Sequence, residues 1–239
     1  MIRYPYVISL PNINIHLTQN DFSGEYLLVA GGRTPSPAWL KAASMNRRLY
    51  AVDHGADACR AAGLVPELFI GDGDSAKRDT LSWIEDSHVA CKRFPPEKDK
   101  TDTQLALETV AENQNPFVIL AGGFGGRFDH AFSLLYSFVG AGLHGCLADD
   151  HEFLFVLRED DEIILEISST PKSLSLLPLT PECQGVSIDG VHWPLSDAVL
   201  RQDNPYAISN RLAPSANRIT ARNRTGVLGL YLCWDESMK

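Results

Sequence analysis

Residues 1–152 alternate short apolar runs with segments of helical spacing. Tyr26-Leu27-Leu28-Val29-Ala30, Leu49-Tyr50-Ala51-Val52, Leu68-Phe69-Ile70 and Phe117-Val118-Ile119-Leu120-Ala121 are uninterrupted apolar runs. They end at Gly31-Gly32, Asp53, Gly71-Asp72 and Gly122-Gly123. A strand that is apolar on both faces is buried on both faces, which is the habit of parallel sheets covered by helices. Helices are predicted at Trp39 to Met45, Ala56 to Ala62, Asp79 to Glu85, Thr103 to Glu112 and Asp129 to Gly140.

The pattern changes near Asp149-Asp150-His151-Glu152. Beyond it, Glu162 to Ile167, Ser173 to Leu177 and Gly226 to Cys233 read as strands, and six prolines (171, 178, 181, 194, 205 and 214) punctuate the chain without a helical period. The expectation is an α/β domain with a mostly parallel sheet over 1–152, then an all-β domain of sandwich or barrel type over 153–239.

Composition narrows the function classes. With 239 residues, 44% hydrophobic and 21% charged, the chain can bury a sizeable core without staples. Lys plus Arg total 21 against 30 Asp plus Glu, a net charge of −9 that argues against a general nucleic-acid binder. Five cysteines with no CxxC pair indicate reduced thiols rather than a zinc knuckle or disulfide framework. No basic flank precedes an apolar stretch at the N-terminus, so no signal peptide is read and the cytoplasm is the expected compartment. Ala131 to Ala148 lacks Asp, Glu, Lys and Arg, yet holds three glycines, two serines and a histidine. It is read as a buried helix plus loop, not a membrane span.

Ligands of open α/β sheets bind beyond the carboxyl ends of the strands. Asp53, Asp72, Asp74 and the Gly122 to Arg127 loop all leave such ends, so the reading converges them on one crevice. Gly71-Asp72-Gly73-Asp74-Ser75 is either a capped polar turn or a pair of carboxylates for a hard cation such as magnesium. In Lys98-Asp99-Lys100-Thr101-Asp102, Asp102 either caps a helix or supplies a third carboxylate, with Lys98 or Lys100 facing phosphates. Gly122-Gly123-Phe124-Gly125-Gly126-Arg127 is a tight strand-to-helix connection or a phosphate cradle in which Arg127 clamps an anion. Asp53 caps its helix or binds a ligand; His54 receives no role. Five arginines between 201 and 224, against Asp203 alone, read as exposed strand positions.

In this order and spacing, Gly71-Asp72-Gly73-Asp74-Ser75, Lys98-Asp99-Lys100-Thr101-Asp102 and Gly125-Gly126-Arg127-Phe128-Asp129-His130 resemble the thiamine pyrophosphokinase family. Ser173 to Leu179, Gly190-Val191-His192-Trp193-Pro194-Leu195 and Ile208-Ser209-Asn210 match it more loosely. The resemblance implies a Rossmann-like α/β domain holding ATP and metal, and a β-sandwich that binds thiamine and dimerises. The implied reaction moves the β,γ-diphosphoryl unit of ATP to the thiamine hydroxyl and releases AMP. Alternatives are a diphosphokinase of another alcohol, such as a pterin, and a non-catalytic nucleotide sensor. Carried over, Asp72, Asp74 and Asp102 hold Mg2+, Arg127 stabilises the transferred group and Asp129 orients Arg127 or the hydroxyl. Thr101, Gly123 and Gly126 contact phosphates, and Asp53 lies close to substrate or metal. Ser209 and Asn210 of a partner subunit bind the pyrimidine in a homodimer with thiamine at the interface, and Trp193 is assigned to packing. The family often has Asp-Gly-Gly where this chain has Asp53-His54-Gly55.

Overall fold

The structure is a computed structural model that describes residues 4–19, 21–73, 76–94 and 99–234. Asp74, Ser75 and Lys98, all singled out above, lie outside the described residues. The chain divides into two compact units, one of Phe22–Asp150 and one that combines Met1–Asp21 with His151–Lys239.

The chain starts in the second of these, with β1 (Tyr6–Leu10) and β2 (Ile13–Leu17). They form an antiparallel hairpin whose two-residue turn places Asn12 at φ 68°. Such a backbone suits asparagine among the non-glycine residues. Ile13, Ile15 and Leu17 are buried while Asn14 and His16 alternate outward, the period-two pattern of a half-buried strand.

The α/β unit follows: β3 (Glu25–Val29), α1 (Pro37–Ser44), β4 (Arg48–Val52), α2 (Gly55–Ala61), β5 (Leu68–Ile70), α3 (Arg78–Asp86), β6 (Ala90–Lys92), α4 (Asp102–Ala111), β7 (Phe117–Ala121), α5 (Phe128–Gly140) and β8 (His144–Ala148). Its strands pair in parallel in the order β8-β7-β3-β4-β5-β6. The order reverses beside β3, because β4 to β6 extend one way and β7 and β8 the other. That reversal is where an open parallel sheet offers a ligand crevice. All five residues of β7 are buried, and each large apolar side chain so removed from water contributes about 1.5–3 kcal/mol. Local chemistry sets the helix ends. Ser36 Oγ accepts from the Trp39 amide ahead of Pro37 at the first turn of α1. Thr101 and Gln104 close a reciprocal capping box on α4.

The β unit is completed by β9 (Glu152–Leu157), β10 (Glu162–Ile167), β11 (Ser173–Pro178), β12 (Glu182–Asp189), β13 (Leu195–Arg201), β14 (Arg218–Arg222) and β15 (Leu228–Cys233). One antiparallel sheet runs β1-β2-β10-β14-β12-β13, and β11, β15 and β9 pair antiparallel beside one another. Alternating burial on β2 and β14 turns one face of their sheet inward, as in a sandwich, while β10 buries Ile163, Ile164 and Leu165 in a row.

Three expectations need correction. The reading placed residues 1–152 in the α/β domain, but residues 1–21 belong with the β unit, because β2 pairs with β10 from Ile163↔Leu17 to Ile167↔Ile13. Only Phe138 of α5 is buried, so this is not a buried helix. Its rings instead stack on each other along the exposed face, Phe128 on Phe132 at 5.8 Å and Phe132 on Tyr136 at 4.8 Å. Residues 144–148, read as loop, are the buried strand β8. Among the described residues no helix is long and apolar enough to cross a membrane.

Three of the five arginines of 201–224 stand beside acids. Arg201 pairs with Glu182 and Asp203. Arg218 and Arg222 stand opposite Glu166 and Glu162 across β10 and β14, where opposite charges are favourable.

Candidate active site

The strand ends build the site one loop at a time. After β4 the chain turns at Asp53, held at φ 49°, with its amide donating to the Ile70 carbonyl at 2.9 Å. A non-glycine residue in this region costs about 1–3 kcal/mol and is a recurrent mark of functional positions. His54 follows with ordinary helical angles (φ −55°, ψ −20°), so histidine in place of the family's glycine imposes no backbone strain. Its Nδ1 lies 3.1 Å from Asp57 Oδ2. After β5 comes Asp72, and Asp102 is the first residue of α4.

One carboxylate oxygen from each of Asp53, Asp72 and Asp102 lies within 4.8 Å of the others, and all three residues are half-buried. Three hard oxygen donors at this spacing fit a hard divalent cation, since the negative charges otherwise repel. Asp53 thus stands beside Asp72 and Asp102 of the set that the sequence reading drew as Asp72, Asp74 and Asp102.

The N-cap position of α2 is His54, whose side chain makes no cap bond. Thr101 caps α4, and Asp102, the first residue of that helix, lines the cavity described below. Asp129 grips Arg127 with both oxygens, at 3.1 Å to Nε and 2.6 Å to Nη2, and Oδ1 also accepts the His130 amide. The guanidinium holds the Asp129 carboxyl below its usual range, and the carboxylate raises Arg127 in turn. Both side chains are largely exposed. Asp129 thus meets the Arg127 guanidinium edge with both of its oxygens.

The glycine loop divides by position. A Cβ on Gly122 would fall 2.2 Å from the Ala30 carbonyl oxygen, so this glycine serves the close approach of two loops. One on Gly123 would meet Leu120, Leu147 and Leu134. Gly126, at φ 71°, has open space where its side chain would be, and here the bare backbone faces outward.

A cavity of about 650 Å³ gathers Asp53, Asp72, Thr101, Asp102, Gly123, Gly126 and Arg127 on its lining. Lys100 also lines it, its Nζ bound to both oxygens of Glu108 at 2.7 and 2.9 Å. The sequence reading gave no role to Gly31, Gly32 or His54, which line it too. The second Gly-Gly at a strand end, after β3, was the available signal.

Ser209 and Asn210 lie in the β unit. Ser209 takes φ 58° and donates its amide to Ser175 Oγ at 3.1 Å. The Asn210 side chain is engaged by backbone. Oδ1 accepts from the Trp193 and Arg211 amides at 3.2 and 2.8 Å, and Nδ2 donates to the Trp193 carbonyl at 2.9 Å. Trp193, assigned above to packing, is 56% exposed. Its ring carries the Arg211 guanidinium at 5.6 Å and the edge-on His192 ring at 4.5 Å.

Comparison with known proteins agrees with this geometry. Residues 40–145 match the family model for the thiamin pyrophosphokinase catalytic domain, and residues 162–228 match that for the thiamin pyrophosphokinase vitamin B1 binding domain. Thiamine pyrophosphokinase of Bacillus subtilis is 30% identical over 169 residues, 69% of this chain and 78% of that protein. The crystal structure of thiamine pyrophosphokinase from Bacillus subtilis superposes with a TM-score of 0.75 at 26% identity, covering 88% of this chain and 99% of that one. That of thiamin pyrophosphokinase from Geobacillus thermodenitrificans, at 22% identity, shares the fold with a TM-score of 0.75, covering 90% and 100%. With both domains matched in sequence order, the chain belongs to the thiamine pyrophosphokinase family.

Proposed function

We propose that the protein is a thiamine diphosphokinase, an ATP-dependent pyrophosphotransferase that makes thiamine diphosphate and AMP. The observation that carries this reading is the convergence of three carboxylates and an oriented arginine on one cavity at the carboxyl ends of a parallel sheet, in a chain of this family.

In the reaction the thiamine hydroxyl oxygen bonds to the β-phosphorus of ATP. The bond from that phosphorus to the oxygen bridging the α-phosphate breaks, AMP leaves with that oxygen, and the hydroxyl gives up its proton. Asp53, Asp72 and Asp102, with Asp74, would hold Mg2+, which when bound offsets the charge of the polyphosphate. Arg127, its plane fixed by Asp129, presents its remaining N–H groups to the transferred unit. A fixed donor costs no reorganisation as charge develops. Thr101 and the Gly123 and Gly126 backbone line the phosphate path. In the β unit, Ser209 is the pyrimidine contact of the reading, and Asn210 supports it by holding the turn at Trp193.

The protein acts as a cytoplasmic homodimer with thiamine at the subunit interface. The exposed ring row of α5 supports a second copy as the surface that covers it, since Phe128 and Phe132 are 82% and 52% exposed.

The test is to incubate the protein with ATP, magnesium and thiamine and to separate the products by chromatography. AMP and thiamine diphosphate in equal amounts, both abolished by EDTA, are expected. ADP with thiamine monophosphate, or no thiamine product from folded protein, overturns the reading.

A further inference from the structure

We infer that Arg33 and Asp149 form a positioning pair that sets the glycine loop of the candidate site, and through it the handling of the nucleotide. This rests on the phosphate role proposed for that loop. Neither side chain is among those that line the cavity, so the pair acts through the loop and not on substrate.

Four observations converge on Arg33. Its amide donates to the Phe124 carbonyl at 2.6 Å, next to a bond from the Gly32 amide to the Gly122 carbonyl at 2.9 Å. These bonds extend the β3–β7 pairing past both strand ends and into the loops. The guanidinium stands over the Phe124 ring, 5.9 Å from its centroid. Nε and Nη2 both reach Asp149 Oδ2, at 2.8 and 2.5 Å. Finally, a Cβ on Gly125 would fall 2.9 Å from the Arg33 Cβ, so the loop lies directly against this residue.

The anchor is unusual in its burial. The Asp149 side chain is fully buried and that of Arg33 is 16% exposed. A buried carboxylate is costly unless a cation and good geometry compensate it, so separating Arg33 from Asp149 is strongly unfavourable. The next acid repeats the device. Asp150 accepts from the Ser36 amide at 2.6 Å and from the Ser36 hydroxyl, fixing the start of α1. Residues 33–36 are thereby tied to the end of β8 at two points, and the first tie continues into Phe124.

The loop needs such a support. Gly125 and Gly126 both take left-handed angles, φ 69° and 71°, and Gly126 touches nothing where a side chain would be. Glycines ordered this way have much backbone entropy to lose. Held by Arg33, the loop enters the reaction already shaped, and Arg127 follows it directly in sequence. Pre-organisation of this kind lowers the cost of binding.

The test compares Arg33→Lys, which keeps charge but has neither fork nor plane, with Asp150→Asn, which loosens α1 and not the loop. Two quantities are read on the full chain: amide hydrogen exchange of residues 123–127 without ligand, and the separate KM values for MgATP and thiamine. For Arg33→Lys, faster exchange confined to 123–127 is expected, with β3 and β7 unchanged. The KM for ATP should rise roughly tenfold while that for thiamine stays within a factor of two; Asp150→Asn should do neither. If Arg33→Lys folds poorly, Phe124→Leu removes the ring under the guanidinium and is read in the same way. Unchanged exchange at 123–127 overturns the positioning role whatever the kinetics. Faster exchange with an unchanged KM for ATP overturns its link to the nucleotide. Should the wild-type protein form no AMP, the functional reading fails separately, and the exchange still decides the pair.

Discussion

The acids of the α/β unit were singled out from strand ends and charged loops, the amide of the β unit from resemblance alone, and the two are differently employed. Asp53, Asp72 and Asp102 line a cavity, and the cap of α4 is Thr101 and not Asp102. Asn210 spends both ends of its side chain on the backbone of Trp193 and Arg211. A motif therefore fixes which residue type stands at a place. Whether that residue is available to a ligand depends on what the local backbone demands of it.

The sharpest way to press this contrast is Asp72→Asn. Loss on the order of 10²–10³-fold in kcat/KM is expected, comparable to removing a fixed group that stabilises developing charge. Without metal the melting temperature should hold or rise, because one of three mutually repelling charges is gone. A near-normal rate would place the metal elsewhere. Asn210→Ala comes next. The lost turn bonds should cost about 1–2 kcal/mol of stability, and the KM for thiamine should rise only as the turn loosens, while Ser209→Ala raises that KM with no change in melting. If Asn210→Ala leaves melting untouched and raises the KM alone, the contrast between the units breaks. The smallest effect is assigned to Thr101→Ala. Loss of the cap on α4 should lower stability by about 1 kcal/mol, with a modest fall in rate as Asp102 shifts, checked by urea unfolding beside steady-state kinetics.

Legibility also differed between the two units. Strands buried on both faces announce themselves as runs, and β4, β5 and β7 were found within a residue of their observed bounds. The helices were found too, with ends off by one or two residues where caps decide. In the β unit β10, β11 and β15 were found, while β1, β2, β9, β12, β13 and β14 were not, and β12 shows one physical reason. β12 shifts register between Cys183 and Val186 and again before Ile188, with Gly185 at φ 65° between them. That break interrupts the period-two signal of β12. At the site, the motif acids were readable because they follow strand ends. Arg33 and Asp149 were not, because their meaning lies in a contact between residues 116 positions apart.

The pairing of β2 with β10 bears on how the chain is made. Phe22–Asp150 separates the two strands, so a ribosome releases the whole α/β unit before the hairpin can find its neighbour. Until then Ile8, Leu10, Ile13, Ile15 and Leu17 have no core to enter, and β2 offers an unfilled edge to any other strand. Closing so long a loop is slow relative to folding the locally connected α/β unit. The nascent protein thus passes through a stage in which its α/β unit has emerged while β1 and β2 are still waiting. Holdase chaperones would act on that stage, and overexpression would fill inclusion bodies from it.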